Sequence, residues 1–599
     1  MSNLRKLQEP SPTPFSDSRR LLGANPYFSD VGAALETDGI AISAALLDAW
    51  RERVTFARQA LRWPDPEIFA QAHASGATLT FAAPLDQLFT ATDVNEWALL
   101  ASRAAVGDED GFPRFHAPGY AACWDESLAL ATLRALAVSE ARPALIALQQ
   151  AATAHGVALL IDDDAITLGE GNGAHSWPPD ALPDPQSIDW HALHDIPVAL
   201  VTGTNGKTTT VRLLAAMART HGWRTGYSCT DGLFVDAAQA AAGDYSGPAG
   251  ARAVLRQPEV QAAILETARG GLLRRGLAMQ RAQAAVLTNI SADHFGAYGV
   301  HDLDALARVK LTVARVVDHG GLLVLNADDA TLRAHAANLD CGIGWFALDN
   351  DEALLKSHRA NGGATCGVCN GTAWLTNNGT AHDLGAVAAM PLTAHGHAYY
   401  NIANILAAAL AASALGIAPA TIAGVLAQFG THPADNPGRL QHWSIAGIDV
   451  WLDYAHNPEG LQALLHAANV QRAGSRFGLL LGQAGDRSDD DIRALANVAS
   501  DFKPARVMLK DIAGMLRGRV SGEVAMILRE ALLGAGMALD ALPFCSDELG
   551  ATRALLEWAQ PGDTLVLPIH GKAVRGKVAA LLDQLVETGW QPQLPLPDA

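Results

Sequence analysis

Cysteine is scarce in this sequence: six in 599 residues, widely scattered, which excludes a disulfide framework. The one close pair, Cys366 and Cys369 in "CGVC", has no second ligand pair nearby and lies between glycine-rich turns. It reads as a hairpin pair and not as a zinc site. Basic charge is also in short supply. Lys and Arg number 43 against 62 Asp and Glu, a net charge of −19, and a nucleic-acid binder needs the opposite, a clustered cationic excess. The same charge does not hinder binding of a cationic small molecule. The opening "MSNLRKLQEPSPTPFSDSRR" has no apolar centre and so no secretory leader. The longest uncharged stretch, Ile405 to Phe429, is dominated by alanine and interrupted by Gly416 and Pro419. It is expected to form two buried helices joined by a turn, not a membrane span. A cytoplasmic protein with neither membrane nor nucleic-acid partner is the expectation, and no short-period repeat is present.

At 599 residues the chain exceeds one hydrophobic core. With 49% apolar and 18% charged residues it has the balance of an ordinary globular protein. Three blocks emerge. Residues 1–195 end in the Pro- and Asp-rich linker "SWPPDALPDPQSIDW". In residues 196–438, short aliphatic runs such as "AAILE", "AAVLTN" and "GGLLVLN" alternate with amphipathic helices. Residues 439–599 repeat that alternation through "IDVWLD", "FGLLLG", "ARVMLK" and "DTLVLPI". Both later blocks read as α/β domains with parallel sheets, preceded by an α+β domain.

What the phosphate-loop pattern lacks is most informative. "VTGTNGKTTT", Val201 to Thr210, keeps Gly206, Lys207 and Thr208 of the G-x-x-x-x-G-K-[ST] motif, but Val201 stands where the first glycine belongs. The physics survives the change. An apolar strand, a glycine turn and a helix N-terminus aim backbone N–H groups at an anion, with Lys207 for terminal phosphates and the Thr208 hydroxyl for Mg²⁺. Polar groups then follow later strands: Glu266 ends "AAILE", Asn289, Asp293 and His294 follow "AAVL", and Lys310 closes a helical stretch.

In this order the pieces resemble the Mur ligase family of ATP-dependent amide-bond-forming enzymes, over about residues 197–590. That family's variant loop is G-T-x-G-K-[ST], so the missing glycine is part of the resemblance. The resemblance implies a Mur ligase-like fold: a central ATPase domain and a C-terminal Rossmann-like domain. It implies an ATP site from Thr204, Asn205, Gly206, Lys207, Thr208 and Thr209, with Asn404 of "YYNIAN" at the adenine and Arg439 of "NPGR" near the phosphates. In "DYAHNPEG", Asp453 is placed near the ribose and His456 near the phosphates. Mg²⁺ ligands are implied at Thr208, Glu266 and His294, and a carbamylated Lys310 at a second metal. Val309 replaces the usual alanine before that lysine.

Within the family, "TDGLF", "GDYSGPAGAR", "LETARGGLLRRGLA", "NPGRL" and "LRGRVSGEV" resemble the Mur-like part of cyanophycin synthetase. There, arginine is joined to aspartyl side chains while a separate ATP-grasp domain extends the backbone. The first 195 residues leave no room for that domain. The expected reaction is therefore one isopeptide-type ligation of arginine or a similar amino acid onto an aspartyl carboxylate, through an acyl phosphate. Thr230, Asp231, Arg269, Arg274 and Arg275 are candidates for the acceptor, and Arg517 and Arg519 for the carboxylate of the incoming amino acid. A ligase for another amino acid and acceptor, or a non-catalytic partner of a polymer synthetase, stays open. So do self-association and a functional link to cyanophycin synthetase.

Overall fold

The computed structural model describes residues 14–38, 42–64, 67–106, 115, 125–292, 295–470 and 476–597. The chain falls into two compact units. The first runs through Gly203 and takes in Gly222–Leu323 and Asp329–Gly342; the second comprises Thr204–His221, Val324–Asp328 and the chain from Ile343 on.

The first unit begins with a four-stranded antiparallel sheet in the order Asp17–Leu21, Gly32–Asp38, Gly76–Ala82, Ile68–His73. Every residue of Gly76–Ala82 is buried, because helices Ala44–Leu61 and Leu88–Ala105 cover the sheet with Trp50, Val54 and Trp97. The buried indole of Trp50 donates to Asn95 Oδ1 at 3.0 Å, and the Asn95 amide donates to the Leu79 carbonyl at 2.9 Å, so these two side chains are satisfied within the core. The edge strand Asp17–Leu21 is capped by chain 250 residues later. Leu22 N–H donates to the Arg275 carbonyl (2.8 Å), Arg19 Nε to that of Leu273 (2.9 Å), and Leu277 N–H to that of Ala24 (2.7 Å). At Gly23 a Cβ would lie 2.2 Å from the Leu277 oxygen, so only glycine allows this approach.

In the same unit, Val198–Thr202 lies between parallel neighbours Ala262–Glu266 and Ala282–Leu287. Thr225–Cys229 extends the parallel run, and Gly232–Val235 and Ala238–Ala242 finish it antiparallel. The aliphatic runs expected to be strands are strands, and Val198–Thr202 and Ala262–Glu266 are buried throughout, as expected of a sheet covered on both faces. The antiparallel margin is not visible as an aliphatic run, because its outermost strand is exposed and built of alanine and glutamine.

The second unit holds the end of strand Val317–Asn326, then Ile343–Ala347 and three strands ending antiparallel: Thr365–Cys369, Thr372–Asn377 and Thr380–Ala386. Cys366 and Cys369 lie in that hairpin, Cys366 buried. The alanine-rich stretch is two helices, Tyr399–Ala414 and Pro419–Leu426. Among the described residues no helix is long and apolar enough to cross a membrane. A six-stranded sheet follows in the order Gln441–Ile445, Ile448–Asp453, Thr564–Pro568, Phe477–Leu481, Arg506–Lys510, Phe544–Cys545, parallel except for its first pair. Alternate residues feed opposite cores: Leu479, Leu481, Val507 and Leu509 pack on one face, and Leu480, Met508, Leu565 and Leu567 on the other. Both faces are therefore closed, and polar groups can collect only at the strand ends.

Candidate functional site

From Thr204 on, the phosphate loop belongs to the second unit, where helix Lys207–His221 begins at the motif lysine. Gly206 has φ +85°, and a Cβ there would lie 2.1 Å from Asn404 Oδ1, so the turn rests directly on that buried asparagine. Asn404 Nδ2 donates to Asn401 Oδ1 (3.1 Å), and Asn401 Nδ2 to the Leu392 carbonyl (2.9 Å). The N-x-x-N spacing puts both amides on one helix face under the loop. Lys207 Nζ donates to the Thr204 carbonyl at 2.9 Å, within its own turn. Asn436 Nδ2 donates to Thr209 Oγ1 at 3.2 Å. Asn205 reaches the "DYAHNPEG" turn: its Oδ1 accepts from Asn457 Nδ2 (2.9 Å) and its Nδ2 donates to Glu459 Oε2 (3.0 Å). Sequence reasoning missed Asn457 and Glu459, although both lie inside a motif it had singled out.

At that turn Asp453 accepts from Leu440 N–H at 2.7 Å. Burial pushes its carboxyl above the usual range, while Arg439 and further backbone N–H groups pull the other way. The Tyr454 ring is covered by two guanidinium groups, Arg439 at 4.2 Å and Arg575 at 4.8 Å. The Tyr400 hydroxyl is buried with no hydrogen-bond partner among the described residues, and burial beside Asp453 drives its phenol well up. The His456 carbonyl accepts from Gln483 Nε2 at 2.8 Å.

In the first unit the ladder aligns Glu266 with Val201, and Val286 with Val201, so three strands end at one level. Glu266 is 1% exposed. Its carboxylate accepts from the Thr230 hydroxyl at 2.8 Å. The neighbouring Asp231 is also buried, and its carbonyl accepts from Gln239. Lys310, 4% exposed, donates to the Gly203 carbonyl at 2.7 Å. His294 and Asp293 lie outside the described residues. Among the described residues no three His, Cys, Asp or Glu side chains gather as a metal cluster. The donors present, the Glu266 carboxylate and a threonine hydroxyl, are hard oxygens of the kind that suits Mg²⁺.

The arginines fall into different settings. Arg269 opens the helix Arg269–Arg275. Arg274 Nε donates to the Tyr298 hydroxyl (3.2 Å), and Arg275 to the Arg20 carbonyl (3.1 Å) on the N-terminal edge strand. Arg519 binds the carbonyls of Gly485 and Arg487 and the carboxylates of Asp489 and Glu523, between 2.7 and 3.0 Å. Arg517, in left-handed backbone at φ 44°, is 48% exposed at its side chain and pairs with Asp486.

The strand–turn–helix loop and the largely parallel six-stranded sheet that follows give the chain an α/β architecture, and the known proteins narrow it. Residues 201–412 match the Mur ligase middle domain, and residues 438–568 the Mur ligase glutamate ligase domain. Across these two stretches, more than half its length, the chain belongs to the Mur ligase family. It is 35% identical over 337 residues to the cyanophycin synthetase of Trichormus variabilis, which covers 56% of this chain and 37% of that protein. The chain thus spans little more than a third of the length of that relative. It is 30% identical over 350 residues to the UDP-N-acetylmuramoyl-L-alanyl-D-glutamate–2,6-diaminopimelate ligase of Xanthomonas campestris, covering 55% of this chain and 66% of that one. The Mycobacterium tuberculosis folylpolyglutamate synthase complexed with ADP aligns at 17% identity and a TM-score of 0.47, over 66% of this chain and 91% of that chain.

Proposed function

We propose that this protein is an ATP-dependent, ADP-forming ligase that joins one amino acid, arginine or a similar basic one, to an aspartyl carboxylate. The observation that carries the reading is the phosphate loop itself. Gly206 is held on Asn404, and Asn205 is tied to Asn457 and Glu459 of the turn bearing Asp453 and His456. ATP is proposed to bind there through Thr204, Asn205, Gly206, Lys207, Thr208 and Thr209, with Asp453, His456, Arg439 and Asn404 as further contacts. The roles of Thr208, Glu266, His294 and Lys310 toward Mg²⁺, and the carbamate on Lys310, are carried over from the family resemblance. Bound Mg²⁺ supplies charge neutralisation for the phosphates. We assign residues 1–195, 196–438 and 439–599 as N-terminal, ATP-binding and amino-acid-binding domains.

The chemistry balances in two steps. An acceptor carboxylate oxygen attacks the γ-phosphorus, the bond to the bridging oxygen breaks, and ADP leaves. The amine nitrogen then attacks the acyl carbon, phosphate departs with the C–O bond electrons, and the nitrogen loses a proton. Lys207 neutralises charge on the transferring group. Thr230, Asp231, Arg269, Arg274 and Arg275 are assigned to the acceptor side. Arg274 and Arg275 serve as positioning residues, given their contacts with Tyr298 and the N-terminal strand. Arg519 holds two loops together, and Arg517 is the guanidinium assigned to the incoming carboxylate, with Asp486 beside it for a cationic side chain.

Incubation with ATP, Mg²⁺, arginine and aspartyl peptides, read by mass spectrometry, tests this. One arginine residue added per acceptor with stoichiometric ADP is expected. A ladder of added aspartate residues, or no ATP consumption with any amino acid, would overturn it.

A further inference from the structure

The second unit buries a chain of charged groups that the proposed chemistry does not use. Lys510, at the end of strand Arg506–Lys510, is wholly buried. Its Nζ bonds to Glu548 Oε1 and lies 3.3 Å from His570 Nδ1. Glu548 also accepts from the backbone N–H of His570 (2.8 Å) and of Gly571 (2.8 Å). His570 Nε2 lies 3.0 Å from the carbonyl of Ala455, between Asp453 and His456 in the nucleotide turn. Lys510 follows one parallel strand, His570 another and Ala455 a third, all at the carboxyl edge where open α/β sheets bind ligands.

The partners fix the proton on His570. An ammonium only donates, so Nδ1 must accept; a backbone carbonyl only accepts, so Nε2 must carry the hydrogen. Burial and the Lys510 charge hold the imidazole well below its ordinary pKa, in this neutral tautomer. Glu548 Oε1 lies 3.8 Å from the same Nδ1. Without the Lys510 ammonium that carboxylate would draw the hydrogen to Nδ1, and Nε2 would then face the Ala455 oxygen lone pair to lone pair. A buried ion pair does not add stability by itself, since apolar residues of similar volume often serve as well. Its value here lies in orientation.

The lysine's other neighbour is the amino-acid side. Asp511 accepts from Ser521 Oγ (2.6 Å) and Gly522 N–H (3.0 Å), closing the loop that carries Arg517 and Arg519. We propose that Lys510, Glu548 and His570 are positioning residues that lock the Ala455 carbonyl of the nucleotide turn and tie it to the root of the Arg517 loop. The assignment rests on the proposed ATP and amino-acid sites.

Two series of variants test it in the full chain. Lys510→Met keeps length and removes the donor. In ¹⁵N spectra of histidine-labelled protein, the His570 Nε2 signal should move from the protonated to the unprotonated type. KM for ATP should rise about tenfold with kcat changed less than twofold. Glutamine places an N–H near the Nε2 position and asparagine does not reach it. His570→Gln should therefore retain most ATP affinity and His570→Asn lose it. An unchanged His570 tautomer and ATP KM in Lys510→Met, or equal losses in the Gln and Asn variants, would overturn the proposal. If the unsubstituted protein binds no MgADP by calorimetry, the ATP reading itself fails; the tautomer measurement still decides the relay.

Discussion

The two sets of parallel strand ends in this molecule use buried charge in opposite ways. At the ends of Val198–Thr202 and Ala262–Glu266, a carboxylate meets a neutral hydroxyl, Thr230 on Glu266, and an ammonium meets a carbonyl, Lys310 on Gly203. At the ends of Ile448–Asp453, Arg506–Lys510 and Thr564–Pro568, a carboxylate and an ammonium neutralise one another beside a neutral imidazole, Lys510 with Glu548 and next to His570. In these two contacts of the first arrangement a charge meets a neutral group. The second spends it internally, to hold a backbone carbonyl in place. Burial alone therefore does not mark a site; what the buried charge meets does.

The largest effect expected is at the phosphate loop. Lys207→Ala should lower kcat by about 10³-fold, the scale of a lost preorganised charge contact, with an unchanged melting temperature. Near-normal turnover would remove the loop from the chemistry. The comparison itself is broken or sharpened by a pair of substitutions followed by urea unfolding. Lys510→Ala strands Glu548 in the interior and should cost about 3–5 kcal/mol of stability. Glu266→Gln keeps an acceptor for the Thr230 hydroxyl and should change stability by less than about 1 kcal/mol, while abolishing Mg²⁺-dependent activity as the proposed metal role requires. Equal destabilisation by both would erase the distinction.

A smaller effect is expected at Gly206→Ala, which meets both a left-handed backbone and Asn404 Oδ1. It should weaken MgADP binding measured by calorimetry, and unchanged affinity would show that the turn accommodates the added methyl. The smallest effect concerns a carboxyl away from both sets of strand ends. Burial, with Glu96 and Glu140 nearby, pushes Asp93 up to about 7 from 3.8. The folded protein then binds a proton that the unfolded chain releases, so stability falls as pH rises from about 4 through 7. Asp93→Asn should flatten the first unit's unfolding curve over that window; an unchanged slope would place the titration elsewhere.

Much of this was legible in the sequence. The aliphatic runs "VALV", "AAILE", "FGLLLG" and "DTLVLPI" are buried strands because a sheet covered on both faces tolerates little else. Gly416 and Pro419 divide the alanine-rich stretch into two helices. The residues around Lys207 follow the spacing of a phosphate loop, whereas those around Asp453 are named through the family resemblance, and the roles of both sets are proposed. Other features left no local signal. The antiparallel edge Ala238–Ala242 is too polar and exposed to read as a strand. Arg275 and Arg519, candidates for the acceptor and for the incoming carboxylate, also bind backbone carbonyls, contacts that leave no mark in the local sequence. Their acceptors, the Arg20 carbonyl and the loops at Gly485 and Arg487, are distant in sequence. Lys510, Glu548 and His570 lie in three separate segments, and only the strand order brings them together.

The clasp between the first strand and the helix near Arg275 has a consequence for synthesis. Arg19 waits for the Leu273 carbonyl 254 positions later, a delay of roughly 13 to 50 s at ribosomal rates of about 5–20 residues per second. Throughout that interval the outer edge of Asp17–Leu21 is available to any other nascent chain. Adjacent arginines at positions 19 and 20 are the kind of charged edge that discourages such pairing. Replacing them with apolar residues would be expected to show first as aggregation during expression, before any defect in the finished protein.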